Sequence, residues 1–497
     1  TDSPFTFHIL EDDNIDFNPE DGTVKRGDVC CPVCGNVIKA ADTRRLFQEG
    51  KNGERMIAVV LHKQGETGKK YRLATDKDIA VFKEAEKYLE KKLKDWKWDC
   101  DPLPEENLEE KSVKQRTPWL YNIKQWKDLF NSRQKLALVC FLDKIKKICE
   151  KSKKDSEKWK VKSEKEELQK AVIGYMNILL NRTSIYSTNM AYWHVSREIA
   201  TPMFGRQAIA MMWDYCETNP ISDNFSFSVQ IDWVLRVINN CSNLSPFTFH
   251  LSPSITNLSA TQLPYPDNHF DLVSTDPPYY DAINYAELSD FFYVWFKKSL
   301  SDLFPELFAT PLTPKSNEAV ANPIRHGSVE KAKQHFEKML SDSFKEMYRI
   351  LKTNGIAIIV YAHKTISGWE TMLNSLMNAG FVVTGSWPIN TEMGSRLNAN
   401  ETASLASSIY MVCRKIKREK IGFYNEIKEE IKKRVEEKMK QFWNEGISGG
   451  DFFISAIGPG MEIFSQFEKV EKLSGEEVST VELLDYIRKV STDWITN

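Results

Sequence analysis

Asp276-Pro277-Pro278-Tyr279 is the stretch of this sequence whose residue types and order can do chemistry on a planar amine. Asp276 can accept a hydrogen bond from an exocyclic NH₂ group. Pro277 has no backbone N–H, so its peptide offers an amine only a carbonyl acceptor. Pro278 stiffens the turn, and Tyr279 supplies a ring on which a base can stack. Together the four residues would hold an amino group with its lone pair aimed at an electrophile. The alternative for Asp276 is a helix or turn cap, a role that needs no Pro-Pro-Tyr behind it.

Such a site needs a rigid element to deliver it. Phe270 to Thr275 reads as a buried strand, so the acid would sit at the C-terminal edge of a parallel sheet, where open α/β sheets bind ligands. Phe247 to Ser252 reads as a further strand upstream. Downstream the spacing predicts an aromatic-rich helix over Tyr285 to Leu300 and another over Gln334 to Leu351, stopped by Asn354-Gly355. A fully buried strand follows over Ile356 to Tyr361, then a helix over Trp369 to Asn378 closed by Gly380. Strands over Phe381 to Trp387 and Ser407 to Cys413 complete an α/β region at 246–415.

The flanks of the tetrapeptide extend its pattern. Leu263-Pro264-Tyr265-Pro266-Asp267-Asn268-His269 leads into the strand, and Tyr280-Asp281-Ala282-Ile283-Asn284-Tyr285-Ala286-Glu287-Leu288-Ser289-Asp290-Phe291-Phe292-Tyr293-Val294-Trp295 follows the motif. With these flanks the chain resembles the amino-group DNA methyltransferases. Among them it is most similar to the large zinc-ribbon-containing adenine-specific DNA methylases, which carry a domain of unknown function at their N-terminus. The resemblance runs roughly from residue 20 to 490 and is strongest at 260–296. It implies an α/β fold: the second half of a Rossmann-like S-adenosylmethionine-dependent methyltransferase sheet, ending in an antiparallel hairpin, with a large helical insertion and part of a zinc ribbon. The activity it implies is methyl transfer from S-adenosylmethionine to the N6 amine of adenine in DNA, in a restriction-modification or phage-defence setting. Asp276, Pro277, Pro278 and Tyr279 would be catalytic, and Tyr280, Asn284 and Tyr285 would bind the substrate. Cytosine N4 stays open as the target, as does a non-catalytic DNA-binding or scaffold subunit.

The chain departs from the family's pattern at three places. The resemblance implies a glycine-rich loop of the form F-x-G-x-G for the cofactor, and the G-x-G spacing occurs here at Gly458-Pro459-Gly460, with a proline inside it and beyond the expected end of the sheet. No cofactor-binding residue is therefore assigned. Leu258-Ser259-Ala260 stands where the family tends to have Gly-Asp-Ala. Cys31-Pro32-Val33-Cys34-Gly35 is half of a zinc ribbon, with Cys31 and Cys34 as two of the four ligands that tetrahedral zinc requires. The alternative for these cysteines is a pair of buried free thiols. In the family the cofactor loop and the first knuckle both lie upstream. A fragment, a processed product or a split enzyme is thus expected, with DNA and a second polypeptide carrying those parts as partners.

The remaining sequence frames this region. Residues 1–75 read as short strands around the half zinc ribbon, 76–245 as a helical insertion and possible DNA-recognition region, and 416–497 as a C-terminal helical extension that leaves the catalytic region with solvated charges. Within the insertion the spacing predicts helices over Asp76 to Trp96, Trp126 to Cys149, Leu168 to Leu180 and Thr201 to Glu217. Asp101 to Glu110 reads as a linker, and Lys151 to Glu166 as a solvated connection. Arg133-Gln134, Arg206-Gln207, His194 with Arg197, and the run from Asn390 to Arg396 are further candidates for DNA contact. A structural role as caps is the stronger reading of the two Arg-Gln pairs. The 497 residues can hold two or three domains. A net charge of −2 does not advertise a DNA binder, so phosphate contacts would need local basic patches. No signal peptide or membrane-length apolar run is present, and nine cysteines in settings such as Val139-Cys140-Phe141 point to a reducing cytoplasm.

Overall fold

The computed structural model describes residues 6–10, 15, 17–18, 21–63, 66–157, 163–205, 207–222, 225–243, 254–279, 283–363, 365–391, 407–447 and 449–496. The chain forms two units and crosses between them three times. One unit holds Thr1–Ser252 and Asn284–Asn317, the other Pro253–Ile283 and Glu318–Asn497. The expected strand at Phe247 to Ser252 lies outside the described residues.

The first unit begins with an antiparallel ribbon of Val24–Lys25, Asp28–Cys30 and Val37–Ile38, followed by a hairpin of Ala58–Leu61 with Lys70–Leu73. The longer helices that follow are α1 (Asp76–Lys94), α2 (Ser132–Glu157), α3 (Ser163–Ser184), α4 (Phe227–Asn243) and α5 (Tyr285–Leu300). α1 starts where expected because Thr75 and Asp78 form a reciprocal capping box. Along it Leu89 is buried, Phe82 and Ala85 are half-buried, and Ile79 and Tyr88 are exposed. The core is built instead on Leu138, Val139, Leu142 and Ile145 of α2 and Phe291, Val294 and Trp295 of α5. Phe291 stacks on Phe130 at 5.9 Å and meets the edge of Phe204 at 5.5 Å.

Two expectations in this unit need correction. The segment Asp101 to Glu110 is not a free linker: Leu103, Pro104 and Leu108 are buried, and Asn107 bridges to Gln125. Thr201 to Glu217 does not form a helix beyond a single turn at Met203–Gly205. Its backbone donors are used by remote partners, with the Ile209 N–H on the Lys114 carbonyl at 3.0 Å and the Cys216 N–H on the Ala191 carbonyl at 3.0 Å. Tertiary pairing has taken the bonds that a helix would have made within itself.

In the second unit a mixed sheet of four strands carries the segment that ends at Asp276. The strands are β1 (Phe270–Thr275), β2 (Leu351–Tyr361), β3 (Phe381–Asn390) and β4 (Ser407–Lys415), in the spatial order β3-β4-β2-β1. β1 runs parallel to β2, and β4 is antiparallel to both β2 and β3. Helices α6 (Val329–Ile350), α7 (Ile366–Asn378), α8 (Tyr424–Asn444), α9 (Ile457–Phe464) and α10 (Thr480–Thr496) pack with this sheet into one core. β2 alternates, with Ala357, Ile359 and Tyr361 buried and Ile356, Ile358 and Val360 half-buried, so it is not sealed on both faces as expected. Asn354-Gly355 does not follow the helix as a stop. α6 passes directly into β2, and the pair falls where the register jumps between Leu351 opposite Phe270 and Ile356 opposite Leu272. Gly380 does close α7, at φ 102°.

The C-terminal extension does not leave this core. Tyr424, Ile427, Ile431, Val435, Met439 and Phe442 form a continuous buried stripe along α8, while its Lys and Glu residues keep the opposite face in water. The charge count of the segment hid that stripe. Among the described residues no helix is long and apolar enough to cross a membrane, and all nine cysteines are free thiols.

Helix α5 carries two buried carboxylates that fix the core of the first unit. Glu287 accepts hydrogen bonds from Ser112 Oγ at 2.6 Å and the Lys114 N–H at 3.0 Å. Asp290, fully buried, takes Gln115 Nε2 at 3.1 Å, the Thr313 N–H at 3.0 Å and Thr313 Oγ1 at 2.6 Å, and pairs with Lys315 Nζ at 2.8 Å. Removing one partner of such a pair leaves the other charge buried and uncompensated. Asp290→Ala is expected to destabilise the protein by about 3–5 kcal/mol in urea unfolding, and Asp290→Asn by less, because it keeps acceptor capacity. A loss below about 1 kcal/mol for Asp290→Ala would show that the network is not a determinant of stability.

Candidate functional site

β1 ends at Thr275, which pairs with Ile359, so Asp276 emerges at the C-terminal end of the parallel pair. The strand itself is not buried as expected. Leu272 is 53% exposed, and Asp271 and Ser274 are also open, because β1 is the edge strand of its sheet with one neighbour among the described residues. Asp276 is exposed and has no hydrogen-bond or ionic partner among the described residues, so it does not act as a cap. Pro277 is buried and Pro278 exposed, which anchors one side of the turn and leaves the other in solvent. Tyr279 is half-buried and packs against the core, its ring edge-to-face with Tyr361 at 5.2 Å. Tyr361 is in turn held by its hydroxyl on the Gly368 carbonyl at 3.1 Å and by the edge of Trp369 at 5.1 Å. The Tyr279 ring is therefore positioned by the end of β2 rather than freely presented.

The lead-in to β1 is clamped by the last turn of α6. Arg349 Nη1 donates to the Tyr265 carbonyl at 2.8 Å and to Asp267 Oδ1 at 2.8 Å, while Nη2 donates to the Leu263 carbonyl at 2.9 Å. Glu346 Oε2 accepts from the Leu263 N–H at 2.9 Å and from Arg349. The Asn268 and His269 N–H groups donate to the Arg349 and Ile350 carbonyls at 3.0 and 2.7 Å, which satisfies two orphan acceptors at the C-terminus of the helix. Asn268 makes the turn at φ 55°, a left-handed conformation that asparagine tolerates. The bonds to Glu346 and Asp267 push the Arg349 guanidinium pKa further up, and the bond to Arg349 holds the Glu346 carboxyl below its ordinary range. Sequence reasoning missed Arg349, Glu346 and Tyr361. Arg349 in a last helical turn looks like an ordinary dipole partner, and its distance along the chain from Leu263 gives no signal.

Tyr280 lies outside the described residues, and Asn284 and Tyr285 belong to the first unit, at the start of α5. Tyr285 is exposed there. Of the Arg-Gln pairs, Arg133 is bound to Glu217 at 2.6 and 3.0 Å, and Gln134 exchanges bonds with Asn131 at the start of α2. Both side chains are thus engaged within the first unit. Arg206 and the residues from Glu392 to Arg396 lie outside the described residues. His194 Nδ1 is 3.3 Å from Ser196 Oγ in the small hairpin of Tyr192–His194 and Ile199–Thr201.

Cys31 and Cys34 occupy a tight turn between Asp28–Cys30 and Val37–Ile38. The Gly35 N–H donates to the Cys31 carbonyl at 2.9 Å, and the Cys31 N–H to the Asn36 carbonyl at 2.9 Å. The N–H groups of Cys34 and Val33, then the Cys34 thiol, donate to the Cys31 sulfur and hold its pKa below the ordinary thiol value. The turn thus favours the thiolate, the form in which cysteine ligates zinc. Neither residue is buried, against the free-thiol alternative of a buried pair. The turn supplies two donors, and among the described residues no cluster of three or more His, Cys, Asp or Glu side chains is placed to hold a metal ion. Gly458-Pro459-Gly460 is not a loop. It lies buried inside α9, where a Cβ at Gly458 would strike Ser386 and one at Gly460 would strike Ile487. These glycines serve close packing and do not fit a cradle for the methionine end of a cofactor. Comparisons with family models, curated proteins and solved structures find no match for this chain.

The clamp gives a direct test of how the motif is positioned. Arg349→Met should raise hydrogen exchange of the Asn268 and His269 amides by about tenfold or more, with little change in α8. Arg349→Lys should not restore protection, since a single ammonium cannot reproduce the forked contacts. Unchanged exchange in Arg349→Met would remove Arg349 from the site.

Proposed function

We propose that this chain is the base-handling part of a DNA methyltransferase acting on the exocyclic amine of adenine. The observation that carries the reading is the position of Asp276-Pro277-Pro278-Tyr279: an open carboxylate and a rigid turn at the C-terminal end of a parallel strand pair, in a sheet that closes with an antiparallel hairpin. The extruded base would offer its N6 amine to Asp276 and to the Pro277 carbonyl. As the nitrogen took the methyl, the sulfonium C–S bond would break to leave a neutral thioether; the nearby carboxylate would stabilise the charge gained on nitrogen, whose proton would then pass to solvent, so no strong base is needed. S-adenosylmethionine would supply the methyl group. Its binding residues are not assigned to this chain, since the glycine pair at 458–460 is sealed in a helix. In this reading a second polypeptide contributes the cofactor loop and the zinc ligands that complete Cys31 and Cys34.

That sealed glycine pair also favours a second reading, a DNA-binding subunit that holds a base without transferring a methyl group. The two readings separate in solution. In the complete assembly, Asp276→Ala is expected to abolish methyl transfer from labelled S-adenosylmethionine to DNA, at least about a thousandfold, while leaving the unfolding midpoint unchanged. Activity within a few-fold of wild type would remove Asp276 from the reaction. Titration calorimetry on the isolated chain should show no S-adenosylmethionine binding until the second polypeptide is added, and binding that never appears would favour the subunit without catalysis.

A further inference from the structure

The neighbouring helices α3 and α4 bring two guanidinium groups to one indole ring. The Arg182 guanidinium carbon lies 5.6 Å from the Trp233 ring centre, and that of Arg236 lies 5.3 Å from it. Trp233 is 50% exposed, a large aromatic surface left in water beside two cations. Arg182 is oriented from below, its Nε donating to the side-chain oxygen of Gln230, which is itself buried. Neither guanidinium forms an ion pair with a carboxylate among the described residues. Two like charges held at one ring repel each other, and the ring's quadrupole offsets only part of that cost. A bound anion would offset the rest, and a guanidinium pair suits the paired oxygens of a phosphodiester.

We propose that Arg182, Trp233 and Arg236 form a contact site for an unpaired nucleic-acid strand. The guanidiniums take consecutive backbone phosphates, and a base stacks on the exposed part of the indole. An acidic peptide would use the cations but leave the indole unexplained. A membrane surface is disfavoured because the charged residues of α4 are one acid, Asp232, and one base, Arg236, so it lacks the rich Lys and Arg face of interfacial helices. The choice of DNA over RNA rests on the proposed methyltransferase reading, and the site itself does not.

The test is fluorescence anisotropy of a labelled single-stranded oligonucleotide, about 20 nucleotides long, against the full chain and its variants over a salt series. Arg182→Gln with Arg236→Gln should weaken binding about tenfold or more and lower the slope of log K against log salt by about 1.4, the loss of two strand phosphates. Trp233→Ala should weaken binding with the slope kept, and Trp233→Phe should restore most of it. Because Arg236 is exposed, Arg236→Gln alone keeps the test open should the double variant fail to fold. It should lower the slope by about 0.7. No binding by the wild-type chain, equal binding and slope in the variants, or preferential binding to anionic phospholipid vesicles would each overturn the inference. None of these outcomes bears on methyl transfer at Asp276, which is measured separately on duplex DNA.

Discussion

Two parallel strands cannot be joined by a tight turn, and the pairing of β1 with β2 governs much of this structure. The connection between them must cross over, and here it is long. It leaves β1 through Asp276-Pro277-Pro278-Tyr279, supplies α5 to the first unit and returns through α6 into β2. The motif therefore stands at the departure point of the crossover, where the backbone has left the ladder. The same α6 that completes the crossover also clamps the entry to β1 through Arg349. One helix thus fixes both ends of the geometry, the strand that delivers Asp276 and the strand beside it.

Carboxylates close in sequence are treated in opposite ways by the two units. Asp290 and Glu287 are buried and held by protein donors, among them the Lys315 ammonium on Asp290 and the Ser112 hydroxyl on Glu287. Asp276, on the same stretch of chain, is left in solvent. A buried, paired acid is a structural device, since its charge is already compensated. An exposed acid on a proline-stiffened turn keeps its acceptor capacity for a ligand. Part of the residue pattern that follows Tyr279 thus serves the packing of α5, through Phe291, Val294 and Trp295.

The legible parts of the fold were those whose signals are local. β1 and α5 have the boundaries that periodicity gives them, and Gly380 ends α7 because a left-handed residue is needed there. The illegible parts depend on distant partners. Thr201 to Glu217 has the composition of a helix, yet the N–H groups of Met203, Ile209 and Cys216 are bound by carbonyls far along the chain. The burial of α8 is written in a stripe of six apolar residues, which its many charges mask. In the site, the tetrapeptide was visible as a run of residue types. Its supports, Arg349 and Tyr361, were not, because neither differs locally from any arginine in a last helical turn or any tyrosine at a strand end.

The triple crossing of the chain between its units has a consequence for how the molecule can be divided. The units are distinct as bodies of contacts but not as lengths of gene. Ending or starting a polypeptide near residue 252 would separate α5 from the helices it packs with, and Phe291, Val294 and Trp295 would meet water as one apolar patch. A single proteolytic nick at any one of the three crossings would leave the two units joined through the other two. Any dissection that respects the folding units must be discontinuous, moving Asn284–Asn317 together with the N-terminal half and closing the gap it leaves between Ile283 and Glu318.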